Sequence, residues 1–234
     1  MTGYLPLDPA FTLNVLEPSA ALPAEIEAAV EAIWSRERSR AGCRLFNGPV
    51  LSLAAKAPDC LTVRRADYRH LIAQRLQPEL GAWLKLRPLA VTGVLTCREG
   101  VVFGRRALHL ANAPGAWEPA PSGGLSHPDP RRQLLEELSE ELGLAASQVS
   151  PPQAFGLIWE DDGGVHDILF RLTTEATAKD LLTAHQSAGS DEYSELAIVP
   201  PQRLGAFLAA HHDTLLPIAR RILVSAMPAA FKAC

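Results

Sequence analysis

Three glutamates, Glu137, Glu140 and Glu141, crowd a short stretch in the second half of the chain. At roughly 100° per residue they share one narrow helical face, with Leu134, Leu138 and Leu142 on the adjoining one. Carboxylates stacked in this way repel one another, so a helix tolerates them best where a cation is expected. A divalent metal that prefers oxygen ligands is the chemistry such a face can serve. Helix signals bracket the cluster: Asp129 is a natural N-cap, Pro130 suits the first helical position and Gly143 suits the C′ position. The expected helix covers residues 130–143 and is entered through a glycine turn at Gly123 and Gly124. There the absence of a Cβ lets the backbone approach metal and phosphate.

Other residues are candidates with a plainer alternative beside each. Arg105 and Arg106 end an expected strand and can receive a phosphate or form a simple surface pair. Asp191, Glu192 and Glu195 can supply a general base, or Asp191 and Glu192 form a solvated acidic turn; the sequence does not choose among the three. Trp117 reads as core packing rather than base stacking. His166 and Asp167 begin a strand within reach of the site, although a structural histidine is the better reading.

The elements that must position these groups follow from hydrophobic spacing. Residues 1–23, with prolines at 6, 9, 18 and 23, read as irregular. A helix over 23–40 places Ile26, Val30, Ile33 and Trp34 inward. Strands follow over 50–54 and 60–65, then a helix capped by Asp67 and running to Leu76, with Tyr68, Leu71, Ile72 and Leu76 inward. Residues 89–97 and 101–105 form a hairpin through Arg98-Glu99-Gly100. After the carboxylate helix come strands over 154–159 and 165–173 around the Asp161-Asp162-Gly163-Gly164 turn, a short helix or loop over 178–184, and a strand over 195–199. Two helices, 202–211 and 214–227, close the chain. Alternating strands and helices imply a mixed α/β layer structure. Residues 1–87 read as a helix followed by a small β-β-α extension, and 88–234 as the main domain.

Composition sets broad limits. The chain has 234 residues, 47% hydrophobic and 21% charged, enough for one good core plus an extension. A net charge of −4 gives no electrostatic reason to expect nucleic acid or an anionic membrane as partner. No apolar run approaches the ~20 residues that span a bilayer, and the first residues lack a signal-peptide pattern. A cytoplasmic address is the default expectation, and a homodimer is compatible with it. Cys43, Cys60, Cys97 and Cys234 show no C-x-x-C spacing, so reduced thiols are expected rather than zinc or disulfides.

The stretch from Gly124 to Leu144 resembles the Nudix box, G-x5-E-x7-R-E-U-x-E-E-x-G-U with U aliphatic. Glu137, Leu138, Glu140, Glu141, Gly143 and Leu144 occupy its second half. The lead-in Trp117-Glu118-Pro119-Ala120-Pro121-Ser122-Gly123-Gly124 is similar to the family's usual entry, and the resemblance covers residues 88–224. It departs at Pro128, which stands at the first glutamate, and at Glu136, which replaces the box arginine that braces the neighbouring glutamates; Arg132 is placed to pair with Glu136. The N-terminal Leu45-Phe46-Asn47-Gly48 and Asp67-Tyr68 resemble a Nudix subgroup that hydrolyses UDP-glucose and UDP-galactose.

The resemblance implies a Nudix-type α/β/α sandwich with a mixed sheet. It also implies Mg²⁺-dependent hydrolysis, with Mn²⁺ as a substitute, of a nucleoside diphosphate linked to another group. A nucleotide sugar is the leading substrate; ADP-ribose, a dinucleotide, coenzyme A, or a silent nucleotide-binding domain are the alternatives. Glu137 and Glu141 are the expected closest metal ligands, with Glu140 as ligand or base. Glu140, Glu141 and Glu195 form the expected catalytic set. Arg105, Arg106, Gly123 and Gly124 would bind substrate.

Overall fold

The computed structural model describes residues 2–17, 21–40, 45–110, 112–160 and 164–227. Its first feature corrects the expected irregular start. Strand β1 (Thr2–Pro6) and strand β2 (Thr12–Val15) are both present. Both lie at sheet edges, where a strand pairs on one side only and proline is tolerated; the prolines hid them from sequence. Helix α1 (Ala24–Arg38) buries Val30, Ile33 and Trp34 as its spacing predicts. Strands β3 (Pro49–Lys56) and β4 (Cys60–Asp67) form a hairpin, with β2 parallel to β4.

Helix α2 (Tyr68–Leu76) follows directly, but its cap is not the expected one. The Asp67 side chain makes no capping bond. Instead Asn47 Oδ1 accepts from the Arg69 amide at 2.9 Å, and the Gly48 carbonyl accepts from the Tyr68 amide at 2.9 Å. The 45–48 turn therefore starts this helix from a distance. Leu76, expected inward, is 49% exposed, while Ala73 is buried. Packing against α1, β4 and the turn at Pro78–Leu80 buries positions on more than one side of so short a helix. Helix α3 (Gly81–Leu84) then leads to the main sheet.

Strands β5 (Leu89–Thr96) and β6 (Val101–Arg106) form the expected hairpin only at its tip, where Thr96 pairs with Val101. Beyond that point they splay. The gap takes β7 (Trp117–Pro119), paired with β6, and β8 (Ser122–Gly124), paired with β5. Next come α4 (Pro130–Leu142), β9 (Gln153–Glu160), β10 (His166–Thr173), α5 (Ala178–Ala188) and β11 (Tyr193–Val199). Helices α6 (Leu204–Ala210) and α7 (Ala219–Ala226) follow, shorter than expected: 3-10 turns take Pro201–Arg203 and His212–Thr214, and α7 begins only after Leu215, which bridges to Trp117. The alternative left open at 178–184 is settled as helix, closed at its start by reciprocal Thr177–Asp180 bonds.

The large sheet runs β1-β9-β10-β5-β6-β11, with β10 and β5 parallel and its other pairings antiparallel. Side-chain alternation divides its two faces. Val91, Leu95, Val102, Ile168 and Phe170 pack with Leu134, Leu138 and Leu142 of α4 and Leu181 of α5. Val94, Val101, Phe103 and Leu169 pack with Leu204 and Leu208 of α6 and Ile222 and Leu223 of α7. The result is the expected α/β/α layering around a mixed sheet. Leu51, Leu53, Leu61 and Val63 of the small sheet share the α4-side core. No helix among the described residues is long and apolar enough to cross a membrane. The 161–163 part of the expected turn, Cys43 and Cys234 lie outside the described residues; Cys60 and Cys97 are free and half-buried.

Because the α2 cap is a single side-chain acceptor on an exposed turn, Asn47→Ala is expected to lower stability by about 1 kcal/mol. Asp67→Ala should change it by less than about 0.5 kcal/mol. Urea unfolding of the two variants checks the order; an equal or reversed effect would assign the cap to Asp67 after all.

Candidate active site

Local sequence sets the limits of α4. The Asp129 carboxylate accepts from the Arg131 and Arg132 amides at 3.1 and 3.0 Å, and Gly143 ends the helix at φ +69°. A Cβ at Gly143 would strike the Ala184 carbonyl of α5, so glycine is required twice over. Leu134, Leu138 and Leu142 are fully buried and set the helix's rotation on the sheet.

That rotation grades the three glutamates. Glu141 is 1% exposed; its Oε2 accepts from the Ser122 amide at 3.0 Å, and its Oε1 is buried without a partner. Burial pushes its carboxyl well up, reinforced by repulsion from Glu118, Glu137 and Glu192 and opposed by the Ser122 bond. Glu137 is half-buried and accepts from Gln133 Nε2 at 2.9 Å. Burial raises it to about 7 against the Gln133 bond, with added repulsion from Glu192, Glu140 and Glu136. Glu140 is exposed. Gln133, which the sequence did not single out, also holds the entry loop by accepting from Ser126 Oγ at 2.8 Å.

The glycine turn runs beside these acids, but its two glycines differ. A Cβ at Gly123 would run into the Glu137 carboxylate, whereas one at Gly124 would meet open space. Glu136, in the box arginine's place, accepts from Arg132 Nε at 2.8 Å and pairs with His127 Nε2 at 3.1 Å. These bonds, Arg132 first, hold its carboxyl below the usual range.

Strand alternation separates the arginine pair. Arg106 follows Val102 and Gly104 onto the α4 side, where its Nη1 donates to Glu118 Oε1 at 2.8 Å. Tyr193 Oη donates to the same oxygen at 3.2 Å. Burial raises the Glu118 carboxyl, although Arg106 opposes the shift. Arg105 lies on the other face with Trp117, Phe207 and His211; its Nη1 meets Glu195 Oε2 at 3.4 Å. The structure therefore brings Glu137, Glu141 and Gly123 together, sets Arg106 on Glu118, whose charge in turn reaches Glu141, and leaves Arg105 and Glu195 paired elsewhere. Asp191 is exposed beside His109, while Glu192 lines the cavity. Glu118 lies within the lead-in, but nothing local marks it as buried.

A cavity of about 460 Å³ opens next to this cluster. Arg106, Glu118, Ser122 and Glu192 line its polar end; Tyr68 and Leu71 of α2 and Leu216 and Ile222 near α7 line other walls. At its floor Asp167 Oδ1 accepts from Thr92 Oγ1 at 3.1 Å, and Thr92 in turn contacts Ser122 Oγ at 3.2 Å. Burial raises Asp167 to about 7 against the Thr92 bond, helped by Glu118 and Glu160. Its neighbour His166 is buried and stacked on Trp159 at 5.6 Å and 11°.

Among the described residues no three acids, histidines or cysteines already stand at metal-ligand spacing. The donor set nevertheless fits a hard divalent cation. Its atoms are carboxylate oxygens, Glu141 Oε1 has no partner among the described residues, and burial beside like charges leaves Glu137 and Glu141 short of positive charge.

No family model and no curated protein matches this chain. Similar solved structures include a MutT protein from Methanosarcina mazei, at 18% identity and TM-score 0.43, covering 57% of this chain and 88% of that one. A bifunctional NMN adenylyltransferase/ADP ribose pyrophosphatase from Francisella tularensis, complexed with AMP and Mn ion, reaches 14% and 0.47 over 70% of this chain and 47% of that one. The NUDIX domain of Shewanella oneidensis NrtR, complexed with ADP ribose, reaches 14% and 0.44 over 62% and 89%. These are low-identity likenesses, and the ligands named belong to those proteins.

The raised Asp167 makes a prediction with a definite sign. Between pH 3.8 and about 7 the folded chain holds a proton at Asp167 that the unfolded chain has released. Its contribution is therefore complete below 3.8 and lost as pH rises through about 7. At about 1.4 kcal/mol per pKa unit, the effect is at most about 4 kcal/mol. Asp167→Asn should be close to wild type at pH 4 and more stable than wild type at pH 8, measured by urea unfolding at both. A pH-independent difference would count against the buried acid.

Proposed function

We propose that the protein is a metal-dependent pyrophosphohydrolase of the Nudix type. It would cleave a nucleoside diphosphate linked to another group into a nucleoside monophosphate and a phosphorylated fragment. The observation that carries this reading is Glu141: a buried carboxylate pinned by the Ser122 amide, its second oxygen unpartnered, next to Glu137. Holding such a group ionised in a dry site calls for a cation.

In this proposal Glu137 and Glu141 hold Mg²⁺, or Mn²⁺ in its place, with exposed Glu140 as a further ligand. The bound cation would screen the pyrophosphate charge and lower the pKa of a water. Gln133 fixes the Glu137 carboxylate, and Gly123 leaves the space that carboxylate occupies. Arg106 carries a positive charge at the polar end of the cavity, steadied by Glu118, and would orient a phosphate oxygen there. Glu192 is our choice of general base, because it lines the cavity whereas Glu195 is paired with Arg105.

The apolar walls from Tyr68, Leu71, Leu216 and Ile222 would receive the nucleoside or the linked group. A nucleotide sugar is our leading substrate, supported by the N-terminal resemblance and by the contribution of α2 to the cavity. A second reading, nucleotide binding without turnover, is favoured by Glu136: its bonds to Arg132 and His127 leave Glu137 braced by a neutral glutamine rather than by an arginine.

Glu141→Gln should reduce Mg²⁺-dependent release of nucleoside monophosphate at least about a hundredfold while leaving the fold intact. Phosphate-fragment release is the readout, across UDP-glucose, ADP-ribose, a dinucleoside polyphosphate and coenzyme A. Undiminished turnover in that variant would sink the hydrolase proposal. Tight nucleotide binding by calorimetry, with no turnover of any substrate by the wild-type chain, would establish the silent reading. Gly123→Ala should also lose activity, with melting within a few degrees of wild type, because its methyl group displaces the Glu137 carboxylate.

A further inference from the structure

A second concavity, of about 600 Å³, lies between the end of α2 and the segment after α3. Arg75, Lys85 and Arg87 line it with Gln74, and no acid does. Among the described residues none of the three cations forms an ion pair or side-chain hydrogen bond. Next to them Arg64 donates through Nη2 to the Leu84 carbonyl at 2.8 Å and to the Lys85 carbonyl, while its Nε is buried with no partner among the described residues. Burial and the nearby Arg87 charge hold the Arg64 guanidinium below its usual range, so two positive charges stand close enough here to repel.

The groove is also rigidly built. Gln74 makes two bonds to Leu86, donating to its carbonyl and accepting from its amide, each at 2.8 Å. Ser52 Oγ accepts from the Arg87 amide at 2.9 Å. Lys85 stands in the left-handed region at φ +48°, a conformation that side chains other than glycine seldom adopt without tertiary support. A simple solvated basic face requires none of these constraints.

We propose that this groove binds a phosphate-bearing anion through Arg75, Lys85 and Arg87. Forked guanidiniums beside an ammonium suit the several oxygens and multiple charge of a phosphate group. Arg75 also borders the cavity beside the carboxylate helix, so the two concavities adjoin along α2. The phosphate is accordingly either the far end of a ligand lying in that cavity or that of a separate phosphorylated effector. The site stands whether or not the chain hydrolyses anything.

The test uses the full chain and inorganic pyrophosphate without divalent metal, followed through backbone amide signals. Saturable movement at Lys85 and Arg87 is expected, and a Lys85→Gln, Arg87→Gln double variant should weaken it at least about tenfold. Arg75→Gln, on an exposed helical position, should weaken it too and guards against a double variant that fails to fold. Absence of saturable movement at those amides, or unaltered affinity in the variants, would overturn the proposal. The source is separated by substrate kinetics: a rise in KM confined to diphosphates that carry a further phosphate marks a substrate end, and unchanged KM with lost pyrophosphate binding marks an effector. Because binding is read without turnover, its failure and the failure of the hydrolase proposal are distinguishable.

Discussion

A buried carboxylate is costly unless its charge is compensated, and Glu141 is seated where the protein compensates only half of it. One oxygen takes the Ser122 amide; the other has no hydrogen-bond partner among the described residues, and Glu118, Glu137 and Glu192 repel the group as a whole. The carboxylate stays there because α4 cannot turn. Three fully buried leucines on the adjoining face, a side-chain cap at one end and a left-handed glycine against α5 at the other hold it on the sheet. Packing on the other side of the same helix thus maintains an unfavourable arrangement of charge within the site.

The splayed hairpin gives that helix something to face. Had β5 and β6 stayed paired along their length, there would be no room for Trp117–Pro119 and Ser122–Gly124 between them. Opening the pair after Thr96 and Val101 inserts the segment that presents the Ser122 amide, the Gly123 gap and Glu118 to one region. The same opening forms one end of the cavity, and the N-terminal β3 and α2 close another side. Since Leu51, Leu53, Leu61 and Val63 share a core with α4, this wall is held by the same packing as the carboxylate helix.

Much of this was legible from short-range signals. The ends of α4, the leucine row and the Arg132–Glu136 pair depend on residues a turn or less apart, and the structure has them where the spacing placed them. Core strands β9, β10 and β5 were evident because buried strands are dense in β-formers. The edge strands β1 and β2 are not legible in the sequence because each is only four or five residues long and flanked by prolines, so the alternation of Thr12–Val15 is too short to stand out. The cap on α2 was misassigned to its immediate neighbour, since Asn47 lies across the β3–β4 hairpin from the helix it caps.

By itself the sequence determined that three carboxylates share a helical face, that this helix is capped, and that it follows a glycine turn. Those properties follow from the period of the helix and from local backbone preferences. Only the tertiary structure decided which of the three is buried, that Arg106 rather than Arg105 turns to Glu118 and the cavity, and that Glu118, Gln133 and Asp167 belong to the same region. Exposure, charge environment and partnership depend on which distant segments meet. In this fold the splay of one hairpin and the rotation of one leucine-anchored helix settle that.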